Sequence, residues 1–181
     1  SGSMLEAHEA GLLLWAASTF SSPAMDGKPL IVEFGTNWGH TACLLSMIRG
    51  SKVWTIDISH RDRLLIHQQQ HKEVLMDNQT GMFAAERGNV VQMIRSPTAR
   101  LNLSPRLAFD VAFIDGDHRY EAVMRDTEDV ICRAHLAKRA LLICWHDYHP
   151  PSADSNWVGV QKCVDELSAS GLQARHVAGT R

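Results

Sequence analysis

Strong charge of either sign is missing from this sequence. Its 181 residues carry 18 Lys and Arg against 20 Asp and Glu, for a net charge of −2. That leaves no electrostatic footprint for nucleic acid or an anionic membrane surface. Long apolar runs are missing too. The stretch Gly11–Ala17 is far too short to span a bilayer, and the acidic residues ahead of it exclude a signal peptide. Cysteine is sparse: Cys43, Cys132, Cys144 and Cys163 show no CxxC spacing. They lie in segments that read as buried helix or strand. A disulfide framework is therefore excluded, and reduced thiols in an intracellular, cytoplasmic protein are expected. No internal repeat or low-complexity tract is visible.

What is present is a chain 45% hydrophobic and 21% charged, enough for one compact domain with a real core. Ser1-Gly2-Ser3 ahead of Met4 reads as a cloning scar. Residues 4–181 read as a single domain, with an N-terminal helix and loop over 4–28 and the core over 29–181. Leu5–Phe20 is expected to be an amphipathic helix and Leu30–Phe34 a short apolar strand. A helix from His40 to Ile48 and a strand over Lys52–Ile58 come next, then a polar helix from Ser59 to about Leu75. Met82–Ala85 reads as a third strand, followed by Gly88-Asn89 and a short helix through Ile94. The strand Phe109–Ile114, the helix Tyr120–Ala137 and the strand Ala140–Trp145 complete the core. A helix over Val158–Ser168 and a strand-like piece at Gln173–Ala178 close the chain. Continuous apolar strands alternating with amphipathic helices argue for a doubly wound α/β fold, its mostly parallel sheet covered by helices on both faces. The stripe Val123, Thr127, Val130, Ile131 and Ala134 at 3.6 spacing supports this.

Four motifs carry chemistry. In Ile31–Thr41, IVEFGTNWGHT, a strand delivers Glu33 and then a turn with Gly35, Thr36 and Gly39. Glycine lets backbone approach a ligand closely, and the following helix start favours polar or anionic groups. The spacing is GxxxG, not the GxGxxG of a pyrophosphate cradle. Asp57 closes the second strand about 20 residues after that turn, where a carboxylate commonly accepts ribose hydroxyls. A nucleoside ligand without an obligatory diphosphate suggests S-adenosylmethionine. The third and fourth motifs are Asp115-Gly116-Asp117-His118 and Trp145-His146-Asp147-Tyr148-His149, each ending a long strand. If the two strands are neighbours, Asp115, Asp117, His118, His146 and Asp147 converge at the sheet edge that binds ligands in open α/β folds. Carboxylates with imidazoles suit Mg²⁺, Mn²⁺ or Zn²⁺, with Mg²⁺ or Mn²⁺ first because carboxylates dominate. The plainer reading is that these groups cap helices and bind loops with no metal. His67 and His71 read as a solvated helix face, Arg61–Arg63 as an ordinary charged helix start, and Trp15, Trp54 and Trp145 as core.

Taken together, VEFGTNWGHTA (32–42), TIDIS (55–59), FDVAFIDGDHRYEAVMRD (109–126) and LLICWHDYH (141–149) resemble class I S-adenosylmethionine-dependent methyltransferases. They are most similar to the macrocin- and novobiocin-type small-molecule O-methyltransferases of methyltransferase domain family 24. GVQKCVDEL (159–167) resembles the helix that follows in those proteins. The resemblance implies methyl transfer to a hydroxyl of a small-molecule acceptor, with no nucleic-acid or membrane partner. It implies that Glu33, Gly35, Thr36 and Gly39 surround the methionine end of the cofactor, with Asp57 on the ribose. Gly88 and Asn89 would lie near the adenine. Asp115, His146 and Asp147 would be metal ligands, Asp115 also bordering the cofactor, with Asp117 or His118 as the catalytic base. Two departures stand out. His146 occupies a position where related enzymes often carry a carboxylate, and the chain stops where such folds usually add an antiparallel strand. An exposed sheet edge makes a homo-oligomer one expectation. The rival readings are a nucleotide- or NAD-binding oxidoreductase on a similar sheet and a non-catalytic S-adenosylmethionine binder.

Overall fold

The computed structural model describes residues 5–20, 28–67, 75–104, 106–148 and 158–177. Strands β1 (Leu30–Phe34), β2 (Lys52–Ile58), β3 (Val90–Arg95), β4 (Val111–Ile114) and β5 (Leu142–Trp145) form one sheet. Every pairing is parallel, in the order β3-β2-β1-β4-β5. Between and beside them run α1 (Ala7–Thr19), α2 (His40–Leu45), α3 (His60–His67), α4 (Tyr120–Ala137) and α5 (Val158–Ala169). All five residues of β1 are buried, as a central strand covered on both faces must be. Phe34 registers with Ile56 on one side and Ile114 on the other, so the exits of β2, β1 and β4 lie level.

Alternation along the strands sorts the core into two layers. Leu30, Val32, Phe34, Ala112 and Ile114 pack against α4 and α5 through Val123, Val130, Val160 and Cys163. Ile31, Val53, Val111 and Phe113 pack on the other face against Leu13 and Ala17 of α1 and Ala42 and Leu45 of α2. The chain winds from β1 outward to β3, then returns to β4 beside β1. The strand order therefore reverses between β1 and β4, where open α/β sheets bind their ligands.

Asp110 is fully buried just before β4. Its carboxylate accepts the Leu30 N–H at 2.8 Å and pairs with Arg139, tying the starts of β1 and β4 to the turn after α4. Asp110→Ala strands the half-buried Arg139 guanidinium and the buried Leu30 N–H, and is expected to cost about 3 kcal/mol. Urea unfolding checks this; a loss below about 1 kcal/mol would contradict it.

The third strand differs from its expected place. Residues 77–86 are turns, and the strand is Val90–Arg95, expected to be helix. Val90-Val91 is a β-branched start, but Gln92, Ile94 and Arg95 on a half-exposed edge strand imitate a polar helix face. The turns are held by the glycine loop after β1: Gly81 N–H donates to Asn37 O (2.8 Å) and Phe83 N–H to Trp38 O (3.0 Å). Helix α2 ends at Leu45, short of Ile48. Residues 172–177 form no strand, and His176 lies beside the Tyr148 ring at 5.4 Å. Trp15 is 65% exposed and Cys132 is exposed, both against expectation. Trp157, His71 and the loop 149–157 lie outside the described residues. Among the described residues no helix is long and apolar enough to cross a membrane.

Candidate functional site

At the exit of β1 the chain turns sharply. Gly35 (φ 97°), Asn37 (φ 48°) and Gly39 (φ 87°) are all left-handed, and Gly39 N–H donates to Thr36 O at 2.7 Å. Gly35 is required by crowding as well as by φ. A Cβ there would fall 2.6 Å from the Asp115 carbonyl carbon and nearer still to its oxygen. The glycine loop and the exit of β4 are thus in direct backbone contact. Beside them lies a cavity of about 270 Å³, lined by Leu5 and Ala10 of the N-terminal segment, by Gly35, Thr36 and Trp38, and by Asp115.

Asp57, at the exit of β2, is heavily engaged. Its Oδ1 accepts the Ile58 N–H (2.7 Å), while Oδ2 accepts the Asn37 N–H (2.8 Å) and pairs with Arg63 (2.8 Å). A carboxylate offers about four acceptor positions. Three are taken, which leaves room for one further hydrogen bond, on Oδ1. Arg63 is buried, so the residue read as part of a plain charged helix start is instead a clamp on the site carboxylate. Glu33 is fully enclosed. Burial, together with the charges of Asp57 and Asp115, pushes its carboxyl well above the usual range despite the Thr55 hydrogen bond.

The exits of β4 and β5 converge as expected. His118 Nε2 stands 3.2 Å from Asp147 Oδ2 and 3.8 Å from Asp115 Oδ1. His146 Nδ1 stands 3.0 Å from Asp147 Oδ2 and 3.2 Å from Asp115 Oδ1. Asp147 is buried with a left-handed backbone (φ 58°), strain that persists only where the surroundings enforce it. Burial opposes charge on both imidazoles, but the hydrogen bonds and charges of Asp115 and Asp147 outweigh it. His118 rises to about 9 and His146 to about 10. The same pairs overcome the burial cost at Asp147 and hold its carboxyl far below the usual range. Raised imidazole pKa values stabilise the fold fully below about 6.5, and that stabilisation disappears as pH climbs through 9 to 10. The metal-free protein is therefore expected to lose thermal stability between pH 6.5 and 10, with a shallower slope in Asp147→Asn. Melting temperatures in EDTA across that range check it; a flat profile would contradict it.

The sequence-predicted residues do not all meet. Asp117 is turned to Arg119, accepting its backbone N–H (3.0 Å) and its Nε–H (2.8 Å). Burial works against its charge, but the Arg119 bonds prevail and hold it below the ordinary range, a poor base set apart from the cluster. Gly88 and Asn89 precede the third strand instead of following it. Asn89 donates to the carbonyls of Ser46 (2.9 Å) and Ser51 (3.1 Å), and its own carbonyl accepts Val53 N–H at the start of β2. That is the opposite edge of the sheet, so the adenine placement for these two residues is corrected. A second cavity, about 220 Å³, lies beside the exit of β3 and is lined by Pro97, Thr98, Arg119 and Arg125.

Two contributors escaped sequence reading. Glu9 of α1 is buried with Oε2 3.6 Å from His146 Nε2, linking the N-terminal helix to the cluster. It also caps its own helix, with Glu6 N–H donating to Glu9 at 2.8 Å, and nothing in the sequence tied it to His146. Gly159 is the other: a Cβ there would collide with the His118 carbonyl and the Tyr120 N–H, so α5 seats directly on the His118 loop.

A metal is implied by the resemblance, and the donor set accepts one. Asp115, His118 and Asp147 each offer a ligand atom, all within 4.8 Å of one another. Two carboxylates and an imidazole suit a hard or borderline divalent ion. The grouping contains His118, whereas the expected set had His146, whose Nδ1 lies 3.2 and 3.0 Å from the same two carboxylate oxygens.

An open parallel sheet with a glycine turn, an acidic second-strand end and a charged cluster at its reversal point is the Rossmann-like methyltransferase architecture. A family model described as a methyltransferase domain matches residues 32–148, and the chain belongs to that family. Comparison with curated proteins finds no significant match. Among solved structures, the chain is similar to the O-methyltransferase TomG from Streptomyces achromogenes, involved in tomaymycin synthesis and determined with S-adenosylmethionine. The TM-score is 0.54 at 16% identity over 92% of this chain and 70% of that one. An O-methyltransferase from Bacillus cereus, determined with S-adenosylhomocysteine, gives 0.54 at 13% identity over 92% and 71%. The [4+2]-cyclase SpnF gives 0.50 at 16% over 94% and 61%. At such identities the likeness is one of fold, and a cyclase among these structures shows that the fold alone does not fix the chemistry.

Proposed function

We propose that this protein transfers a methyl group from S-adenosylmethionine to a hydroxyl of a small molecule. The observation that carries the reading is the direct contact at the sheet reversal between the glycine loop, with its cavity, and Asp115 of the charged cluster. A donor held at one exit and an acceptor activated at the next would be neighbours there. The two methyltransferase structures determined with S-adenosylmethionine or S-adenosylhomocysteine support the donor. Gly35, Thr36 and Gly39 would receive the methionine end, and Asp57 would accept one ribose hydroxyl. The purine would extend toward the exit of β3, past Ser96 and Pro97, in place of Gly88 and Asn89.

The acceptor oxygen attacks the methyl carbon in line with the sulfonium. The O–CH₃ bond forms as the S–CH₃ bond breaks, giving a methyl ether and S-adenosylhomocysteine. Positioning supplies most of the acceleration, because the sulfonium is already an activated donor. The hydroxyl proton must leave as the bond forms. Raised to about 9, His118 is an imidazolium at neutral pH and holds its neighbours as a donor. In that state Asp115, which lines the cavity, is the proton acceptor. Asp115, His118 and Asp147 would hold a divalent ion, which when bound supplies Lewis-acid polarisation of the acceptor hydroxyl. The acceptor is a small molecule rather than nucleic acid or membrane lipid.

Calorimetric titration with S-adenosylhomocysteine is the test. Micromolar binding is expected, weakened by about tenfold in Asp57→Asn, together with methyl ether formation across a panel of small hydroxyl compounds. Binding of NAD with none of S-adenosylhomocysteine would overturn the reading. Cofactor binding with no acceptor turned over would favour a non-catalytic binder.

A further inference from the structure

The hydroxyl of Thr55 faces two partners at once. It lies in hydrogen-bonding contact with Glu33 Oε2, and 2.7 Å from Thr36 Oγ1. All three residues are buried, Glu33 at 1% exposure, Thr36 at 2% and Thr55 at 0%. One hydroxyl carries one proton, so Thr55 cannot donate in both directions, and the chain of three groups has only two consistent polarities. With an ionised Glu33, Thr55 donates to the carboxylate and Thr36 donates to Thr55, so Thr36 turns only lone pairs to the cavity it lines. A neutral Glu33 opens the reverse direction: when its proton sits on Oε2 it donates to Thr55, the Thr55 proton goes to Thr36, and the Thr36 proton is left over. Among the described residues nothing accepts that proton, while Thr36 lines the 270 Å³ cavity.

We infer that Glu33 and Thr55 form a buried polarity-setting relay that makes the Thr36 hydroxyl an obligatory donor to the carboxylate of a ligand's amino-acid end. Glu33 and Thr55 are positioning residues that need not touch the ligand. Thr36 is the residue that does.

Three features favour this polarity. Among the described residues the carboxyl has no cation for a hydrogen-bond or ion-pair partner and is bonded only to Thr55. Asp57 and Asp115 flank it as like charges, and burial penalises its ionised form first of all. A glutamate in the central strand beside a glycine turn would ordinarily be taken for a contact to the ligand's ammonium, and its enclosure argues against that. The relay also accounts for Thr55, a polar residue wholly buried mid-strand in β2. An apolar residue there would pack as well but leave Thr36 with no fixed orientation.

The inference rests on S-adenosylmethionine being the donor, and its test separates the two. S-adenosylhomocysteine and 5′-methylthioadenosine share the nucleoside and thioether, but only the first carries the amino-acid carboxylate. Binding of each to the full chain by calorimetry gives a ratio that reports that end alone. Thr36→Val is expected to weaken S-adenosylhomocysteine by about tenfold or more and 5′-methylthioadenosine by less than about twofold, the size of a hydrogen bond to a charged group. Thr55→Val, at a residue remote from the ligand, is expected to shift the ratio in the same direction by about three- to tenfold, with Thr55→Ser restoring it. Glu33→Gln, whose amide N–H can replace the carboxyl proton, is expected to keep the ratio where Glu33→Leu loses it. A tenfold fall specific to S-adenosylhomocysteine in Glu33→Gln would overturn the relay in favour of a charged contact. Equal weakening of both ligands by Thr55→Val would overturn it in favour of a packing role. Failure of the unmodified protein to bind either ligand would instead sink the proposed donor.

Discussion

Asparagine in place of Asp147 is expected to lower the rate of methyl transfer by about a thousandfold, within the range seen when one preorganised electrostatic group is removed. Asparagine tolerates a left-handed backbone better than other non-glycine residues, so the φ of 58° is retained and the fold is kept. What disappears is the negative charge that both imidazoles share, His118 at 3.2 Å and His146 at 3.0 Å. Asp115 is then left to balance two imidazoliums and is drawn to them, away from the acceptor hydroxyl. Cofactor affinity should change by less than about threefold, since the glycine loop and Asp57 lie at the exits of β1 and β2 and Asp147 at the exit of β5. Asp147→Gly makes a useful comparison: it relieves the backbone strain, stabilises the turn and is equally inactive. Steady-state kinetics with parallel titration of S-adenosylhomocysteine decide the matter. A kcat within tenfold of the unmodified protein would remove Asp147 from the mechanism.

Alanine at Gly35 is expected to have the largest effect on folding. The new Cβ would sit 2.6 Å from a backbone carbon of Asp115, at φ 97°, where a side chain is strained whatever the space. Backbone cannot swing aside as a flexible side chain would. Asp115 N–H is itself bonded to Phe34 O at 2.9 Å, and Gly35 N–H to Ile56 O at 2.8 Å, so neither partner can move without breaking the sheet edge. Strain and clash together amount to roughly 3–5 kcal/mol, or a melting temperature lower by roughly 10 °C for a chain of this size. Cofactor binding should vanish with it, because the same contact joins the two halves of the site. Thermal denaturation is the measurement, and a melting temperature within 2 °C of the parent would contradict the close approach.

Much of this was legible in the chain itself. LIVEF, KVWTIDI and FDVAFI are apolar runs too short for helices and bounded by polar turns, and they became β1, β2 and β4 in a parallel sheet. The carboxylates that end them had no place but the ligand edge, since the runs before them are buried on both faces. Val90–Arg95 was not legible, because an edge strand with one solvated side lacks the apolar density of its neighbours. Its misplacement carried Gly88 and Asn89 to the wrong edge. Asp117 failed for a different reason. Sequence adjacency put it with Asp115 and His118, but successive residues leaving a strand point different ways, and Arg119 captured its carboxylate.

Sequence alone determined the sheet, the glycine turn and the acidic strand ends, because each is written in neighbouring residues whose spacing and polarity suffice. Tertiary structure decided protonation and partnership. The Glu33 carboxyl is pushed well above its ordinary range by burial and by the charges of Asp115 and Asp57, the second of them 24 positions away in the chain. The imidazole pKa values are raised because β5 runs beside β4 and brings Asp115 and Asp147 together, and Arg63 and Glu9 matter only through what they meet across the fold. Charge state follows from burial and distance, and neither is a property of a residue's neighbours in the chain.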